Sequence, residues 1–271
     1  MSGSREGAGE PVAARAPGRW RRTGDGLAAA ASGLIDLMLP LRCAGCARPG
    51  TAWCGGCARE LGGLRKVVRA LPVPSGSAAV PPVFALGRYR GAARRAVVSY
   101  KAAGRRDLAD PFGVAIADGL AGLLQWGPSS SGRAAFGAET VPDLDPAGTW
   151  HLVPAPSRAI TSRRRGGAHM TRVAGRAAAV LAERGRAAVV ADCLVSGAGA
   201  RDSVGLDPAE RLRNLAGRVS VLPRRAPPAG APVLLIDDVL TTGATAMSSA
   251  HVLARHGVPV TAVLVLTATS G

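Results

Sequence analysis

The second half of the chain alternates short, continuous apolar runs with stretches in which apolar residues recur at helical spacing. Continuous apolar strands joined by helices are typical of a parallel sheet that is covered by helices on both faces. The pattern predicts strands at residues 151–153, 187–195, 219–222, 233–236 and 260–267, and helices at 168–183, 208–215 and 246–256. We therefore expect an α/β fold.

The first half of the chain is less regular. Residues 1–25 are mostly Gly, Ala, Arg, Ser and Pro without periodicity, which predicts a disordered basic tail. A predicted amphipathic helix then ends before Pro40, and its apolar face consists of Leu27, Leu34, Leu37 and Met38. The predicted domains are this helix with a cysteine module at 26–66, a proline-rich linker at 67–82, and a main domain at 83–271 that contains helices 93–100 and 107–125 and a flexible insertion at 127–149.

The apolar stretch 27–41 follows an arginine-rich segment at 19–22 and so resembles a secretory signal. Asp25 and Asp36 interrupt it, however, and no small-residue cleavage motif follows at the expected place. No run of about 18 uncharged apolar residues occurs, so we expect no transmembrane helix. The sequence therefore favours a cytoplasmic protein.

The chain of 271 residues carries a formal net charge of +16, and only Lys66 and Lys101 of its 34 cationic residues are lysine. Such a basic excess favours partners that bear phosphate. Codon composition explains the arginine bias equally well. Aromatic residues make up only 3% of the chain, which argues against a base-stacking platform for single-stranded nucleic acid.

Two C-x2-C pairs separated by seven residues form the first chemical motif: Cys43, Cys46, Cys54 and Cys57. Two such pairs can place four thiolates tetrahedrally around Zn²⁺, and Gly45 and Gly56 suit the tight turns of the two knuckles. The alternatives are redox activity, for which a single pair would be enough, and an iron–sulfur cluster. The fifth cysteine, Cys193, lies in an apolar run and is expected to be buried. We expect a structural zinc site that helps this short module to fold.

The second motif lies at residues 233–245, where four apolar residues precede Asp237 and Asp238, and two further apolar residues lead into a threonine-rich turn. In a parallel sheet, ligands bind beyond the carboxyl ends of the strands. The start of the following helix offers free N–H groups to an anion, and Gly243 lets the backbone approach it. Additional hydroxyl donors and one more backbone position come from Thr241, Thr242, Ala244 and Thr245.

Two carboxylates beside an anion site would repel the anion unless they served another purpose. Vicinal ribose hydroxyls are donors that two carboxylates can accept, and a bound divalent cation would also relieve the repulsion. A sugar that carries both a phosphate and a free diol therefore fits this segment. A capped helix after an ordinary strand would explain neither the paired aspartates nor the three threonines with a glycine.

Neither the G-x-x-x-x-G-K-[ST] phosphate loop nor the G-x-G-x-x-G dinucleotide fingerprint is present. Residues 233–245 instead resemble, at all 13 positions, the motif by which type I phosphoribosyltransferases bind 5-phosphoribosyl 1-diphosphate (PRPP). With the cysteine module, Lys101 and the segments 89–91, 153–156 and 211–217, the chain resembles the ComF family over roughly residues 34–268. That family is related to the amidophosphoribosyltransferases and is linked to competence, the uptake of DNA.

The resemblance implies a zinc-ribbon-like module followed by a type I phosphoribosyltransferase-like parallel sheet with flanking helices. It implies that Asp237 and Asp238 hold the ribose hydroxyls and that residues 241–245 hold the 5′-phosphate. Pro156 and Ser157 would belong to the pyrophosphate loop, and Mg²⁺ would accompany PRPP. Arg201 of the implied mobile loop at 198–206 would contact pyrophosphate. The alternative, that Arg201 is a solvated loop residue without a ligand, explains the sequence at least as well.

The chain departs from the family pattern at two places. Ala168 stands at a position that is usually Asn or Asp, and Ser203 or Val204 stands where Gln is common. These departures leave the acceptor substrate open. His169 is either a pocket residue or an ordinary polar residue, and the run 163–165 of three arginines either binds phosphate or nucleic acid or is a solvated loop.

Two classes of function follow. The first is a transferase that moves phosphoribose from PRPP to an unknown acceptor and releases pyrophosphate, in DNA uptake or in nucleotide metabolism. The second is a non-catalytic protein that senses PRPP or a nucleotide and binds nucleic acid or a competence partner. The sequence does not distinguish these classes, and it does not indicate an oligomeric state.

Overall fold

The strands form a six-stranded, mostly parallel sheet and a separate two-stranded antiparallel ribbon. The computed structural model describes residues 41–77, 79–125, 148–156, 169–197 and 219–270. The strands are β1 (Arg65–Lys66), β2 (Val83–Arg88), β3 (Trp150–Pro154), β4 (Ala188–Val190), β5 (Leu194–Ser196), β6 (Val219–Val221), β7 (Val233–Leu240) and β8 (Ala262–Ala268). The large sheet has the order β1-β2-β8-β7-β3-β4, and only β1 runs antiparallel to its neighbour.

Five α-helices accompany these strands within the described part of the chain. They are α1 (Gly55–Ala58), α2 (Gly91–Ala102), α3 (Ala109–Gln125), α4 (His169–Glu183) and α5 (Ala244–Arg255). The predicted helices 93–100, 107–125, 168–183 and 246–256 correspond to α2–α5 with shifts of at most two residues at each end. No helix among the described residues is long and apolar enough to cross a membrane.

The side chains of the central strand β7 are buried on both faces of the sheet. Leu234 and Ile236 pack with α2, α3 and α4 in one apolar cluster, whereas Val233 and Leu235 pack with α5, β5 and β6 in the other. Side chains alternate between the faces of a strand, so a strand that is covered on both sides must be apolar at every position. This explains why β7 begins with the continuous apolar run seen in the sequence.

The predicted strand 187–195 is wrong, because the structure divides it between two sheets. Its first part, β4, pairs with β3, and its second part, β5, pairs with β6. A tight turn lies between them, in which the N–H of Cys193 donates to the carbonyl of Ala191 at 2.9 Å. A continuous apolar pattern indicates that a segment is buried, but it does not indicate where the segment changes its partner strand. The expectation that Cys193 is buried is confirmed.

The sequence pattern also missed β2, which directly follows the proline-rich segment and pairs with β8. Gly87 and Arg88 at its end interrupt the apolar run, and no element was predicted for residues 83–88. In the structure this strand extends the parallel sheet by one position. The predicted tail 1–25, the helix that ends before Pro40, helix 208–215 and most of the insertion 127–149 lie outside the described residues.

The order of the strands creates a crevice between β3 and β7. The chain passes from β3 through α4 to β4 at one edge, and from β7 through α5 to β8 in the opposite direction. Such a reversal of strand order leaves an opening between the two first strands at their carboxyl ends, where ligands bind in open α/β sheets. The residues that follow Ile236 in β7 and Val153 in β3 therefore lie where such sheets bind their ligands.

Candidate functional site

The paired aspartates lie in the last half of β7, beside this crevice. Asp238 is buried, whereas Asp237 is only half-buried. The N–H of Asp238 donates to the carboxylate of Asp237 at 2.8 Å, and the hydroxyl of Thr267 in β8 donates to the carbonyl of Asp238 at 3.3 Å. Adjacent residues of a strand face opposite sides, so the two carboxylates have different surroundings.

The buried carboxylate of Asp238 receives two partners from different helices. Lys101 Nζ, near the end of α2, lies 3.0 Å from Oδ1 and 2.9 Å from Oδ2. His169 Nε2, at the first residue of α4, lies 2.9 Å from Oδ2. Because an ionised carboxylate only accepts hydrogen bonds, His169 Nε2 carries the hydrogen in this contact. The three side chains form one network at the carboxyl end of β7.

Tyr100 supports this network from α2. Its hydroxyl donates to the backbone carbonyl of His169 at 2.6 Å, and its ring meets the imidazole edge-on with centroids 5.8 Å apart. Burial raises the pKa of Tyr100 to about 12; Arg172 lowers this pKa and Asp238 raises it further. The phenol therefore remains a hydrogen-bond donor at neutral pH and fixes the start of α4.

The two carboxyl groups have opposite pKa shifts. For Asp238, burial alone would raise the pKa, but the hydrogen bond from His169 and the positive charge of Lys101 lower it to about 2. For Asp237, burial and the negative charge of Asp238 raise the pKa to about 7, and Lys101 offsets only part of this rise. Asp238 is thus a fixed anion, and Asp237 changes its charge near neutral pH.

The threonine turn connects β7 to α5. Thr241 is exposed, Thr242 and Thr245 are half-buried, and Ala244 is the first residue of the helix. Gly243 precedes the helix with φ of +85°, in the left-handed region that favours glycine. The first N–H groups of a helix lack partners within the helix, so this turn presents N–H and hydroxyl donors together.

The turn after β3 lies beside these aspartates. Pro154 pairs with Ile236, the residue that precedes Asp237, and the N–H of Ala155 donates to the carbonyl of Ile236 at 2.8 Å. Pro156 follows and is half-buried. The structure therefore brings the predicted residue Pro156 to the same end of the sheet as the paired aspartates.

Residues 67–77, which we call the strap, pack against the threonine turn and α5. Leu71 Cδ2 lies so close to Gly243 that a Cβ added there would be 2.8 Å from it. Arg69 donates to the carbonyls of Leu240 and Thr241, and Ser77 Oγ lies 2.9 Å from His251 Nδ1. The segment that the sequence predicted as part of a linker is thus held against the main domain.

The four cysteines of the N-terminal motif come together in space. The sulfur atoms of Cys43, Cys46, Cys54 and Cys57 all lie within 4.8 Å of one another, and those of Cys46 and Cys54 are 3.6 Å apart. Tetrahedral coordination with Zn–S bonds of about 2.3 Å requires sulfur–sulfur distances of roughly 3.8 Å. The arrangement therefore fits a structural zinc site.

The thiols of this cluster also have unequal pKa values. Burial raises the pKa of Cys43, but backbone N–H groups, chiefly that of Cys54 at 3.4 Å from its sulfur, lower it to about 6. The backbone N–H of Cys57 lowers the pKa of Cys54. Burial and the neighbouring sulfurs raise the pKa of Cys57. A divalent cation would remove the repulsion among the thiolates and let all four ionise.

The glycines of the two knuckles differ in the space around them. Gly45 has no positive φ, but a Cβ there would lie 2.6 Å from the sulfur of Cys57 and 2.8 Å from Ala92. Gly56 lies in α1, where a Cβ would meet nothing closer than 3.8 Å. Gly45 therefore lies in the turn between Cys43 and Cys46 at a place with no space for a side chain, whereas Gly56 lies in a single helical turn with open space beside it.

The cysteine module packs on the start of α2. The carboxylate of Glu60 accepts the N–H of Ala93 at 2.9 Å and so caps the helix, and a Cβ on Gly87 would lie 2.3 Å from the carbonyl of Glu60. Arg95 Nε donates to the carbonyl of Gly45 at 2.5 Å. The same helix that supports the module thus carries Tyr100 and Lys101 to the aspartates at its other end.

Several predicted site residues cannot be placed. Ser157, Arg201 and the arginine run 163–165 lie outside the described residues, as does Ala168. Sequence reasoning missed the roles of Tyr100 and Arg69. Lys101 was cited only as part of the family resemblance. It is one of only two lysines among 34 cationic residues, and this rarity could have pointed to it.

Comparison with known proteins does not identify the chain: no family model matches it, and no curated protein matches it either. The features that characterise the protein are the mixed α/β fold, the aspartate and threonine site, and the cysteine cluster.

Proposed function

We propose that this chain is a phosphoribosyltransferase-type protein of the ComF kind, which binds PRPP at the end of β7 and transfers its phosphoribosyl group. The observation that carries the proposal is the juxtaposition of Asp237 and Asp238 with the threonine turn at the crevice between β3 and β7. One ligand that satisfies both features carries a ribose diol and a phosphate. PRPP also carries a leaving group at C1.

The chemistry assigns separate tasks to the parts of the site. Asp237 accepts a ribose hydroxyl, and the donors of residues 241–245 hold the 5′-phosphate. The bond between C1 and the pyrophosphate oxygen breaks, and an acceptor nucleophile forms the new bond at C1. Positive charge develops on the ribose in this step, and the anionic carboxylates stabilise it electrostatically.

Magnesium fits this site only as an ion that arrives with the substrate. Asp238 already contacts Lys101 and His169, which leaves Asp237 as the carboxylate with room for a further ligand. Mg²⁺ is commonly held by one or two carboxylates together with substrate phosphates. When bound, it would neutralise charge on the pyrophosphate.

The zinc proposed for Cys43, Cys46, Cys54 and Cys57 is structural. Four sulfur ligands close the coordination sphere and leave no position for a substrate. Its task is to hold the module against α2, where Glu60 and Arg95 make their contacts.

Calorimetric titration of the zinc-loaded protein with PRPP, with and without Mg²⁺, tests the proposal. We expect Mg²⁺-dependent binding that is lost in Asp237→Asn and retained in Asp118→Asn, a surface carboxylate whose partner is Arg184. Absence of binding at millimolar PRPP would overturn the proposal. Release of pyrophosphate that depends on an added base or amine acceptor would establish transfer, whereas binding without release would favour a sensor.

A further inference from the structure

The guanidinium of Arg69, in the strap, contacts the ends of β7 and β8 at once. Its Nη2 donates to the carbonyl of Leu240 at 3.3 Å and to the carbonyl of Thr241. Its Nη1 lies 3.4 Å from the carbonyl of Thr269 and 3.3 Å from its hydroxyl. One planar fork thus joins two chain segments that are distant in sequence from Arg69.

Thr269, which follows the last residue of β8, donates hydrogen bonds to the same two carbonyls. Its hydroxyl lies 3.3 Å from the carbonyl oxygens of both Leu240 and Thr241, and its N–H donates to that of Leu240 at 3.0 Å. The carbonyls at the start of the threonine turn are therefore drawn toward the β8 side by two side chains.

The direction of these carbonyls decides the direction of the neighbouring N–H groups. In a trans peptide the C=O of one residue and the N–H of the next point in opposite directions. The carbonyl of Thr241 points toward Arg69 and Thr269, so the N–H of Thr242 points away from them. In the sheet, β8 lies on one side of β7 and β3 lies on the other.

We propose that Arg69 is a positioning residue of the anion-binding turn, which holds the Thr241–Thr242 peptide so that its N–H faces a ligand phosphate in the crevice. This inference rests on the proposed function, because it assigns the phosphate of the sugar ligand to this turn. The strap is then part of the binding machinery, and Leu71, packed against Gly243, holds the same turn.

A purely electrostatic role for Arg69 predicts different behaviour. A cation near the phosphate would be replaced well by Lys, which keeps the charge but lacks the planar fork. The orientation of the Thr241–Thr242 peptide depends instead on Nη1 and Nη2 of Arg69, which reach several acceptors. It depends equally on Thr269, which carries no charge. Arg69→Lys and Thr269→Val therefore separate the two roles.

The test measures binding of PRPP with Mg²⁺, ribose 5-phosphate and pyrophosphate to the zinc-loaded, full-length variants. We expect Arg69→Lys and Thr269→Val to raise the Kd for PRPP and for ribose 5-phosphate by roughly tenfold, the effect of losing one good hydrogen bond to a charged group. The Kd for pyrophosphate, which lacks the 5′-phosphate, should change less than about twofold. Arg65→Lys, at an exposed position of β1, makes the same exchange of guanidinium for ammonium away from the turn and serves as the control.

Each outcome is decisive. Parallel loss for the two ribose phosphates, with thermal midpoints close to that of the unsubstituted protein, supports the inference. Full retention of affinity in both variants overturns it while the proposed function stands. Equal losses for all three ligands indicate general damage to the site and also overturn it. Failure of the unsubstituted protein to bind PRPP overturns the proposed function and this inference with it.

Discussion

The ammonium group of Lys101 lies 2.9 Å from the carboxylate of Asp238, although 137 positions separate the two residues in the chain. Lys101 is half-exposed, whereas the carboxylate is almost fully buried. His169, at the start of α4, is the second partner of this carboxylate. One of the two carboxylates that the family resemblance assigned to the ribose hydroxyls is therefore already held by the protein, and the proposed function assigns the ligand to Asp237.

Replacement of Lys101 by Met should destabilise the protein at neutral pH. Asp238 has a folded-state pKa of about 2, below the ordinary value of 3.8, so its stabilising contribution is present above about pH 4 and is lost as the pH falls toward 2. Removing one partner of a buried pair costs about 3–5 kcal/mol, and the exposure of Lys101 reduces this to roughly 1–3 kcal/mol. Urea unfolding at pH 7 and pH 3 measures the loss.

The pH dependence is the specific part of this prediction. The deficit of Lys101→Met should shrink between pH 7 and pH 3, because without Lys101 the carboxyl of Asp238 takes up a proton in this range and the variant no longer buries an unpaired charge. The unsubstituted protein keeps its ion pair at pH 3, since its folded-state pKa is about 2. Lys66→Met, which changes the only other lysine of the chain, should show a small deficit at both pH values. A Lys101→Met deficit that is independent of pH would contradict the ion pair as its cause.

Replacement of Asp237 by Asn should stabilise the protein above neutral pH while it abolishes PRPP binding. The folded-state pKa of Asp237 is raised to about 7, so its favourable contribution is present below about pH 4 and is lost as the pH rises to 7. Asn keeps the oxygen that accepts the N–H of Asp238, and it removes the negative charge that burial and the neighbouring Asp238 disfavour. We expect a gain of roughly 1–3 kcal/mol at pH 8, discounted for the partial exposure of this carboxyl.

Urea unfolding at pH 8 and pH 4 checks this gain. It should be largest at pH 8 and close to zero at pH 4, where Asp237 is protonated in the folded protein. A variant that is less stable than the unsubstituted protein at pH 8 would contradict the raised pKa. Asp118→Asn, at an exposed position of α3, should leave the pH dependence unchanged.

Replacement of Gly243 by Ala should weaken both the fold and the binding of PRPP. Its φ of +85° disfavours any side chain, and a Cβ would lie 2.8 Å from Leu71 Cδ2. The two effects together should cost about 2–4 kcal/mol, of which the backbone accounts for about 1–2 kcal/mol.

A matched control separates the two costs. Gly230 has φ of +76° with no atom within 4 Å of an added Cβ, so Gly230→Ala measures the backbone cost alone. The difference between the two variants, measured by thermal melting, should disappear when both glycine substitutions are made in the Leu71→Ala variant. Equal losses for Gly230→Ala and Gly243→Ala would show that the strap does not press on the turn.

The purified protein should contain one zinc ion per chain. Cys54→Ala removes one of four ligands and should lose the metal, whereas Cys193→Ala, at the buried cysteine outside the cluster, should keep it. Native mass spectrometry counts the bound metal. Chelation should lower the thermal midpoint by many degrees, since structural zinc contributes on the order of 10 kcal/mol to folding. Retention of one zinc ion by Cys54→Ala would contradict the four-cysteine site.

Local chemistry in the sequence predicted the parts of the molecule that a short segment can encode. The apolar run before Asp237 identified a strand that is buried on both faces, and the spacing of four cysteines predicted a cluster that the structure brings together. Burial and helical period are properties of consecutive residues, so they can be inferred without knowledge of the partners.

Which distant groups meet depends on how the chain folds. The break between β4 and β5, the addition of β2 to the sheet, and the contacts of Lys101 and Arg69 with the end of β7 all depend on strand order. No local pattern specifies them, because a salt bridge or a peptide orientation is set by elements that the chain brings together over more than a hundred residues. The two adjacent carboxylates are visible in the sequence, but the contacts of Asp238 with a lysine and a histidine from two other elements are visible only in the fold.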